Sequence, residues 1–254
     1  RIAAVANPRI EAVLKVCKDA AQQLEKLHSD FADRTDLDLN GYSRAAAIWM
    51  LAGRQLGLHH ALIAQVEAGI ATEAMVTGRA MHEAARVLYA FSVPNAKGEE
   101  VVRTWLDDEG QHGYVKQGAA RAAQDSYEQE LAEAMEARGV KRFEPTKPHV
   151  EELYDRLSRA GHNRRSSCAS DVWASGRRMG YGRNAPTQWR ADAAEWTATL
   201  TTEVVLSVGD GLRALYGRQD FGVRRIAPLV LAIERARASW PLDEESLLRA
   251  AGLR

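Results

Sequence analysis

The stretch "YDRLSRAGH", from Tyr154 to His162, places arginine and histidine at a spacing that suits acid–base chemistry. An imidazole that titrates near neutral pH can move a proton, and the guanidinium of Arg156 can stabilise charge that develops on a phosphate. Gly161 is expected to end a helix just before His162, where the helix dipole favours a charged imidazole. These groups suit cleavage of RNA by its neighbouring 2′-hydroxyl group, without a metal ion. One imidazole serves poorly as both base and acid, so a second copy of the chain, in a homodimer, is expected.

A second pair of charged residues lies in "GRAMHEAARVLYAF", from Gly78 to Phe91. Arg79 and Glu83 are four residues apart, so their side chains can pair on one face of a helix. If Glu83 faces inward, it needs Arg79 or His162 as a partner, because an unpaired buried carboxylate is costly. Two interpretations remain open: a buried polar network that fixes helix packing, and a catalytic or ligand-binding centre formed by Arg79, Glu83, Arg156 and His162.

An arginine-rich segment, Arg156 to Arg190, contains eight arginines, no lysine and one acidic residue, a local charge of +7 in a chain whose formal charge is zero. Arginine together with aromatic side chains grips phosphates and stacks on bases. We therefore predict that the following residues bind RNA: Arg159, Arg164, Arg165, Arg177, Arg178 and Trp173. In the competing interpretation this segment pairs with the acidic stretch from Glu99 to Glu136, whose charge is −7, within the chain or at an oligomer interface.

Arg156 and His162, with five residues between them, resemble the signature of the HEPN superfamily of helical nucleases and nucleotide-binding proteins. That signature is an arginine followed, after four to six residues, by a histidine. In the family a polar residue commonly follows the arginine, whereas Leu157 stands at that position here. The resemblance implies an all-α protein that binds RNA or cleaves it without a metal ion.

Two separated segments together resemble an uncharacterised bacterial family of helical domains. That family has a helix with an arginine and a glutamate, as in Gly78 to Phe91. After a spacer it has a segment with a tyrosine, a serine and a histidine, as in Tyr154 to His162. The resemblance covers about residues 40–162, and it implies that both segments belong to one helical domain.

Apolar residues recur with the period of an α-helix along most of the chain. Asn7 and Pro8 are typical of a helix start, and Ser43 is a suitable N-cap for a second helix. The predicted helices span residues 8–31, 43–69, 71–91, 99–138 with an interruption at Gly110 and Gly113, 151–160, 187–216, 223–240 and part of 241–254. Residues 161–186 are predicted to form a loop or an irregular helix. No segment shows the sustained alternation of a strand, so we predict an all-α multi-helix bundle with long antiparallel helices and an irregular arginine-rich loop.

Length and composition limit the classes of protein to consider. The chain has 254 residues, 46% of them apolar, and can bury a sizeable core. We divide it into an N-terminal helix (1–41), a main helical bundle (42–217) and C-terminal helices that pack on the bundle (218–254). The 34 basic and 34 acidic side chains cancel, so net charge indicates neither a nucleic-acid nor a membrane partner.

The longest apolar run, Ala45 to Gly53, is too short to cross a bilayer, and no membrane partner is predicted. Cys17 and Cys168 are the only cysteines, too few for a disulfide framework. No secretory signal pattern is found. We therefore expect a cytoplasmic protein.

Two alternatives to RNA chemistry remain open. The first is a non-catalytic helical interaction module whose arginine-rich segment binds an acidic protein surface. The second is a carboxylate-bridged di-metal oxidase, because Glu109 and His112 have the Glu-x-x-His spacing by which one helix offers two metal ligands. The leading interpretation requires neither a cofactor nor a metal ion. His59 and His60 lie in an apolar helical stretch and are predicted to be packing or capping groups.

Overall fold

The computed structural model describes residues 8–33, 43–107, 117–137, 157, 172–175, 178–181, 187–217 and 221–237. This part of the chain contains seven α-helices and a two-stranded hairpin, which confirms the predicted all-α bundle. The elements are α1 Pro8–Ala32, α2 Arg44–Glu67, α3 Ala71–Ser92, α4 Ala96–Leu106, α5 Gln117–Glu136, β1 Val172–Ser175, β2 Arg178–Tyr181, α6 Thr187–Tyr216 and α7 Ala227–Arg237. A π-helical turn, Gly222–Ile226, leads into α7.

Local capping explains where two of the helices begin. The Ser43 side chain accepts a hydrogen bond from the Ala46 N–H at 3.1 Å and starts α2, as its sequence predicts. Asn95 accepts from the Gly98 N–H at 3.1 Å and starts α4. The sequence predicted that this helix begins at residue 99, but the Asn95 cap satisfies a free backbone N–H group and lets the helix begin at Ala96.

Helices α1, α2, α3 and α6 enclose the main core, and α6 contacts the other three. Helices α1 and α6 run in the same direction. In the first half of each helix, the Cys17 thiol of α1 is hydrogen-bonded to Thr201 of α6. Farther along both helices, the Tyr216 hydroxyl donates to the Leu27 carbonyl at 2.9 Å. Early residues of α1 thus contact early residues of α6, and late residues contact late residues, so the two helices are parallel.

Helix α2 runs in the direction opposite to α6, as the sequence predicts for long neighbouring helices. His59, in its second half, bonds to Thr201 in the first half of α6. Ile48, near the start of α2, lies against Gly211 near the end of α6. The connection from α2 to α3 has only three residues, 68–70, as suits a hairpin of two antiparallel helices.

Helix α3 runs parallel to α6, which differs from a purely antiparallel bundle. Gly78, in the first half of α3, packs against Leu200, whereas Leu88 packs against Gly211. Two parallel neighbours cannot be joined by a short turn. The chain between α3 and α6 is long and includes α4 and α5, both of which pack on α3.

The strand pairing contradicts the prediction for residues 161–186. Residues 161–186 were predicted to form a loop or an irregular helix, but β1 and β2 lie within this range and pair antiparallel. In their register Val172 is opposite Tyr181, and Ser175 is opposite Arg178. Each strand has four residues, at the lower limit of length for recognising strand alternation in a sequence.

The C-terminal helix also differs in detail from its prediction over residues 223–240. It begins as the π-helical turn, and α7 extends from Ala227 to Arg237. Ile226 approaches Gly209 of α6 so closely that a Cβ atom at Gly209 would lie 2.7 Å from its side chain. Helix α7 packs on α1 and α6, and the Thr202 hydroxyl donates to Glu234 at 3.3 Å. Among the helices that the structure describes, none is both long and apolar enough to pass through a membrane.

Candidate functional site

The predicted pair Arg79 and Glu83 forms an ion pair on α3. The Arg79 Nε donates to Glu83 Oε1 at 2.9 Å, and the two side chains are 26% and 28% exposed. Their spacing of four residues puts them one above the other on the helix. The pair therefore lies at the edge of the bundle, where a ligand could reach it, and Arg79 is one of the two partners that the sequence offers for Glu83.

Leu157 packs against Gly78, the residue before Arg79 in the chain. It is the one residue of its neighbourhood that the structure describes, it is helical, and its side chain is 1% exposed. A Cβ atom at Gly78 would lie 3.3 Å from Leu157 Cδ2 and 2.8 Å from Leu200 Cδ1. Gly78 precedes Arg79 in the chain, and Leu157 follows Arg156. The two segments that carry the predicted site residues therefore touch at this point.

Most of the predicted RNA-binding and catalytic side chains lie outside the described residues. These are Arg156, Arg159, His162, Arg164, Arg165 and Arg177. For Trp173 and Arg178 the structure describes the backbone, in which Trp173 is paired with Gly180 and Arg178 with Ser175. The proposed role of each of these residues remains a prediction.

A histidine–carboxylate pair that the sequence analysis missed lies on the same part of α3. His82 Nδ1 is 2.6 Å from Oε1 and 2.8 Å from Oε2 of Glu203, which belongs to α6. The Nδ1–H donates to the carboxylate, so Nε2 is the acceptor nitrogen when the ring is neutral. His82 is buried at 1% exposure, whereas the Glu203 side chain is 26% exposed. The imidazole is therefore a fixed support, and the carboxylate is the accessible member of the pair.

His82 lies three residues after Arg79, so helical spacing makes it a neighbour of the ion pair, on the buried side of α3. This spacing was the only local signal in the sequence. Glu203 lies 121 residues beyond His82, and nothing in its own neighbourhood indicates the pairing. The candidate site consists of one arginine, two carboxylates and one buried imidazole on the packed helices α3 and α6.

A separate polar layer crosses the interior of the bundle. His59 Nε2 is 2.8 Å from the Thr201 hydroxyl, which donates to the Thr197 carbonyl at 2.8 Å. His59 Nε2–H must therefore be the donor to Thr201. Burial, and to a smaller degree the neighbouring His60, lowers the pKa of His59 to about 3, so the ring is neutral. Burial raises the pKa of the Cys17 thiol to about 11, despite its hydrogen bond to Thr201.

This layer is structural. His59 and Thr201 are fully buried, as is Gln55, whose amide donates to the Met81 carbonyl at 2.9 Å. None of these three side chains can meet a ligand in the folded protein. His59 is thus the packing group that the sequence predicts.

The acidic stretch, as far as the structure describes it, has partners close by. Helix α5 holds amide–carboxylate pairs at a spacing of four residues, such as Gln129 with Glu133 at 3.0 Å. Glu130 accepts from Asn95 at 2.9 Å, and Glu99 pairs with Arg44 at 2.8 Å. The competing interpretation, in which the acidic stretch neutralises the arginine-rich segment, concerns arginine side chains that are not described. It stays a prediction.

No group of three or more histidine, cysteine or acidic side chains that could hold a metal ion is found among the residues that the structure describes. Glu109 and His112, from which the di-metal alternative was predicted, lie outside them. A carboxylate-bridged metal centre would require these two residues together with further glutamates. That alternative therefore also stays a prediction.

No family model matches the sequence, and neither a curated protein nor a solved structure matches it. The chain is an all-α bundle whose third helix carries an ion-paired arginine beside a histidine–carboxylate pair. A function must therefore be inferred from the chemistry of these side chains.

Proposed function

We propose that this protein binds RNA and cleaves it without a metal ion, as the HEPN resemblance implies. The observation that carries the proposal is the packing of Leu157 against Gly78. Arg79 adjoins Gly78 in the chain, while Arg156 and His162 lie within five residues of Leu157. This contact supports the convergence of a guanidinium and an imidazole on one site.

The chemistry is an internal transfer within the RNA. The 2′-hydroxyl oxygen forms a bond to the adjacent phosphorus, and the bond from phosphorus to the 5′ oxygen breaks. The products are a 2′,3′-cyclic phosphate and a free 5′-hydroxyl group, so no co-reactant is consumed. Arg79 and Arg156 stabilise the charge that develops on the phosphate, and His162 donates a proton to the leaving oxygen. Glu83 orients Arg79 through their 2.9 Å hydrogen bond.

The arginine-rich segment supplies affinity for the rest of the RNA chain. Arginines hold backbone phosphates, and an aromatic side chain stacks on an unpaired base. The residues proposed for this role are Arg159, Arg164, Arg165, Arg177, Arg178 and Trp173. Binding through phosphates weakens as salt rises, because the interaction releases counterions. The preferred substrate is single-stranded RNA.

The proposal predicts RNA cleavage that continues in the presence of a chelator. Purified protein is incubated with end-labelled single-stranded RNA, and the products are tested for a 2′,3′-cyclic phosphate. We expect His162→Ala to lower the rate by about 10²-fold or more, the contribution typical of a general acid. His60→Ala is the control, because His60 is a solvent-accessible histidine of α2 that is paired with Glu25 of α1.

The absence of cleavage by the wild-type protein at every concentration tested contradicts the nuclease. RNA retention without cleavage, unchanged in His162→Ala, indicates an RNA-binding protein instead. Binding to an acidic protein surface but not to RNA supports the interaction module. Cleavage that stops when a chelator is added contradicts the metal-independent mechanism.

We also propose a cytoplasmic homodimer as the active form. A second copy would bring a second His162 and a second arginine-rich segment, which together suit a long RNA strand. Sedimentation analysis should show a species of twice the 28.0 kDa chain mass at the concentrations where cleavage is observed. A protein that cleaves RNA fully as a monomer contradicts this part of the proposal.

A further inference from the structure

We infer that Glu203 is the general base of the RNA-cleaving site and that His82 is the residue that positions it. The inference rests on the proposed function and adds a second proton-transfer group within the same chain. Transfer of RNA phosphate to the 2′-hydroxyl needs a group that removes a proton and another that supplies one. The sequence alone offered only one imidazole for both tasks, which led to the expectation of a second copy.

The choice of Glu203 over Glu83 follows from the partner of each carboxylate. Glu83 Oε1 is held by the permanently charged guanidinium of Arg79. Glu203 is held by an imidazole, a group that is also stable in its neutral form. Because Glu83 is occupied by Arg79, we assign the 2′-hydroxyl group to Glu203. Glu83 instead keeps Arg79 in place for the phosphate.

Exposure separates the role of Glu203 from that of His82. The Glu203 side chain is 26% exposed and can meet a hydroxyl group of a bound ligand. His82 is 1% exposed, so it acts through the carboxylate and does not touch the substrate. Both oxygens of Glu203 lie within 2.8 Å of His82 Nδ1, which restricts the rotation of a side chain that would otherwise sample many rotamers.

The base and the phosphate-binding arginine are carried by different helices that cannot slide freely. Arg79 follows Gly78, which allows α3 to approach Leu200 of α6. Leu200 lies less than one helical turn before Glu203. Tight packing at this position therefore fixes the relative position of the two helix backbones that carry Arg79 and Glu203. Such fixed relative positions are what an oriented phosphoryl transfer requires.

The proton balance is complete. The Glu203 carboxylate takes the proton of the 2′-hydroxyl as the new oxygen–phosphorus bond forms. The 5′ oxygen leaves with a proton from His162. After product release, Glu203 loses its proton to water and His162 regains one. His82 keeps its Nδ1–H on the carboxylate side throughout, and neither oxidant nor metal takes part.

The first test uses Glu203→Gln, which keeps the shape of the side chain and an oxygen that can accept from His82. We expect kcat for RNA cleavage to fall by about 10²–10⁴-fold with little change in KM, because a general base acts in the transition state. Glu195→Gln is the matched control, since Glu195 is an exposed glutamate two turns earlier on α6.

A substrate with a nitrophenolate leaving group distinguishes the base from the acid. This leaving group departs without a proton, so it should restore much of the rate lost in His162→Ala. It should not restore the rate of Glu203→Gln, because the 2′-hydroxyl must still be deprotonated. Recovery of Glu203→Gln on this substrate assigns the carboxylate to the other step and overturns the inference.

The positioning role of His82 is tested with two variants. His82→Asn keeps an N–H donor near the place of Nδ1, whereas His82→Leu removes it. We expect both to bind RNA with an unchanged KM and the asparagine variant to retain more kcat than the leucine variant. Melting temperatures are measured in parallel, and rates are compared well below them. Equal loss of kcat in both, or none in either, contradicts a positioning role.

The two proposals fail in different ways. If the wild-type protein cleaves RNA and Glu203→Gln does so equally well, Glu203 is not the base, and the ribonuclease proposal is unaffected. If the wild-type protein does not cleave RNA, the proposed function fails and the role of Glu203 fails with it. Cleavage lost in Glu203→Gln but kept in Glu195→Gln, with both variants folded, supports the inference.

Discussion

The buried histidines of the bundle differ in the group that holds each ring. His59 bonds to a neutral hydroxyl, that of Thr201, and is fully buried. His82 bonds to the carboxylate of Glu203, which reaches the surface. A neutral partner in an apolar interior cannot compensate a positive charge, so burial lowers the pKa of His59. The first histidine therefore serves packing, whereas the second holds a carboxylate that reaches the surface.

The low pKa of His59 predicts a loss of stability in acid. In the unfolded chain this residue takes up a proton near pH 6.5, but in the folded bundle its pKa is lowered to about 3. The unfolded state therefore binds more protons between these values. The stability that depends on the neutral ring is fully present above pH 6.5 and is lost as pH falls towards 3. At pH 4.5 the loss amounts to about 2–3 kcal/mol.

The measurement is urea unfolding of the wild type and of His59→Gln at pH 7 and pH 4.5. Glutamine can donate to Thr201 but does not titrate. Between pH 7 and pH 4.5 the free energy of unfolding of His59→Gln should therefore fall less than that of the wild type, by about 2–3 kcal/mol. His60→Gln, an exposed neighbour, should behave like the wild type. Identical acid sensitivity of His59→Gln and the wild type would show that the ring does not limit stability.

The approach of α3 to α6 depends on the absence of a side chain at Gly78. A Cβ atom there would lie 2.8 Å from Leu200 and 3.3 Å from Leu157, closer than atoms in a packed core normally come. The same position joins the chain near Leu157 to the helix of Arg79 and Glu83. Packing between the helices and geometry of the site therefore depend on one small residue.

Gly78→Ala and Gly57→Ala should change stability in opposite directions. Both glycines are inside helices, where alanine is favoured by about 1 kcal/mol. At Gly57 nothing lies within 4 Å of the new atom, so we expect stabilisation by about 0.5–1 kcal/mol. At Gly78 the clash with Leu200 should outweigh this gain and destabilise the protein by about 1–2 kcal/mol. Chemical unfolding followed by circular dichroism compares the two, and equal stability of both variants would disprove the close packing.

The sequence was informative where structure depends on nearby residues. Thr187 and Tyr216 bound α6 as predicted, because the apolar period and the helix ends are local signals. The Arg79–Glu83 pair was predicted for the same reason, since helix geometry alone brings residues four apart together. The parallel direction of α3 and α6 was not predictable in this way, because it depends on how distant faces pack.

The same distinction between local signals and distant contacts applies to the candidate site. Glu203 could not be recognised, since its partner His82 lies 121 residues away and a single glutamate on a helix is ordinary. The hairpin was missed because four-residue strands leave too few positions to reveal alternation. The proposed contributions of Arg156 and His162 remain predictions that the cleavage experiment addresses.

The central position of α6 has a consequence for synthesis of the chain on the ribosome. The apolar faces of α1, α2 and α3 all pack on a helix that is made more than 90 residues after Ser92 ends α3. At about 5–20 residues per second, translation from Ser92 to Tyr216 takes roughly 6–25 seconds. During that interval α6 is not yet present to cover the apolar faces of the first three helices. The nascent chain is therefore expected to remain bound to a chaperone until α6 emerges.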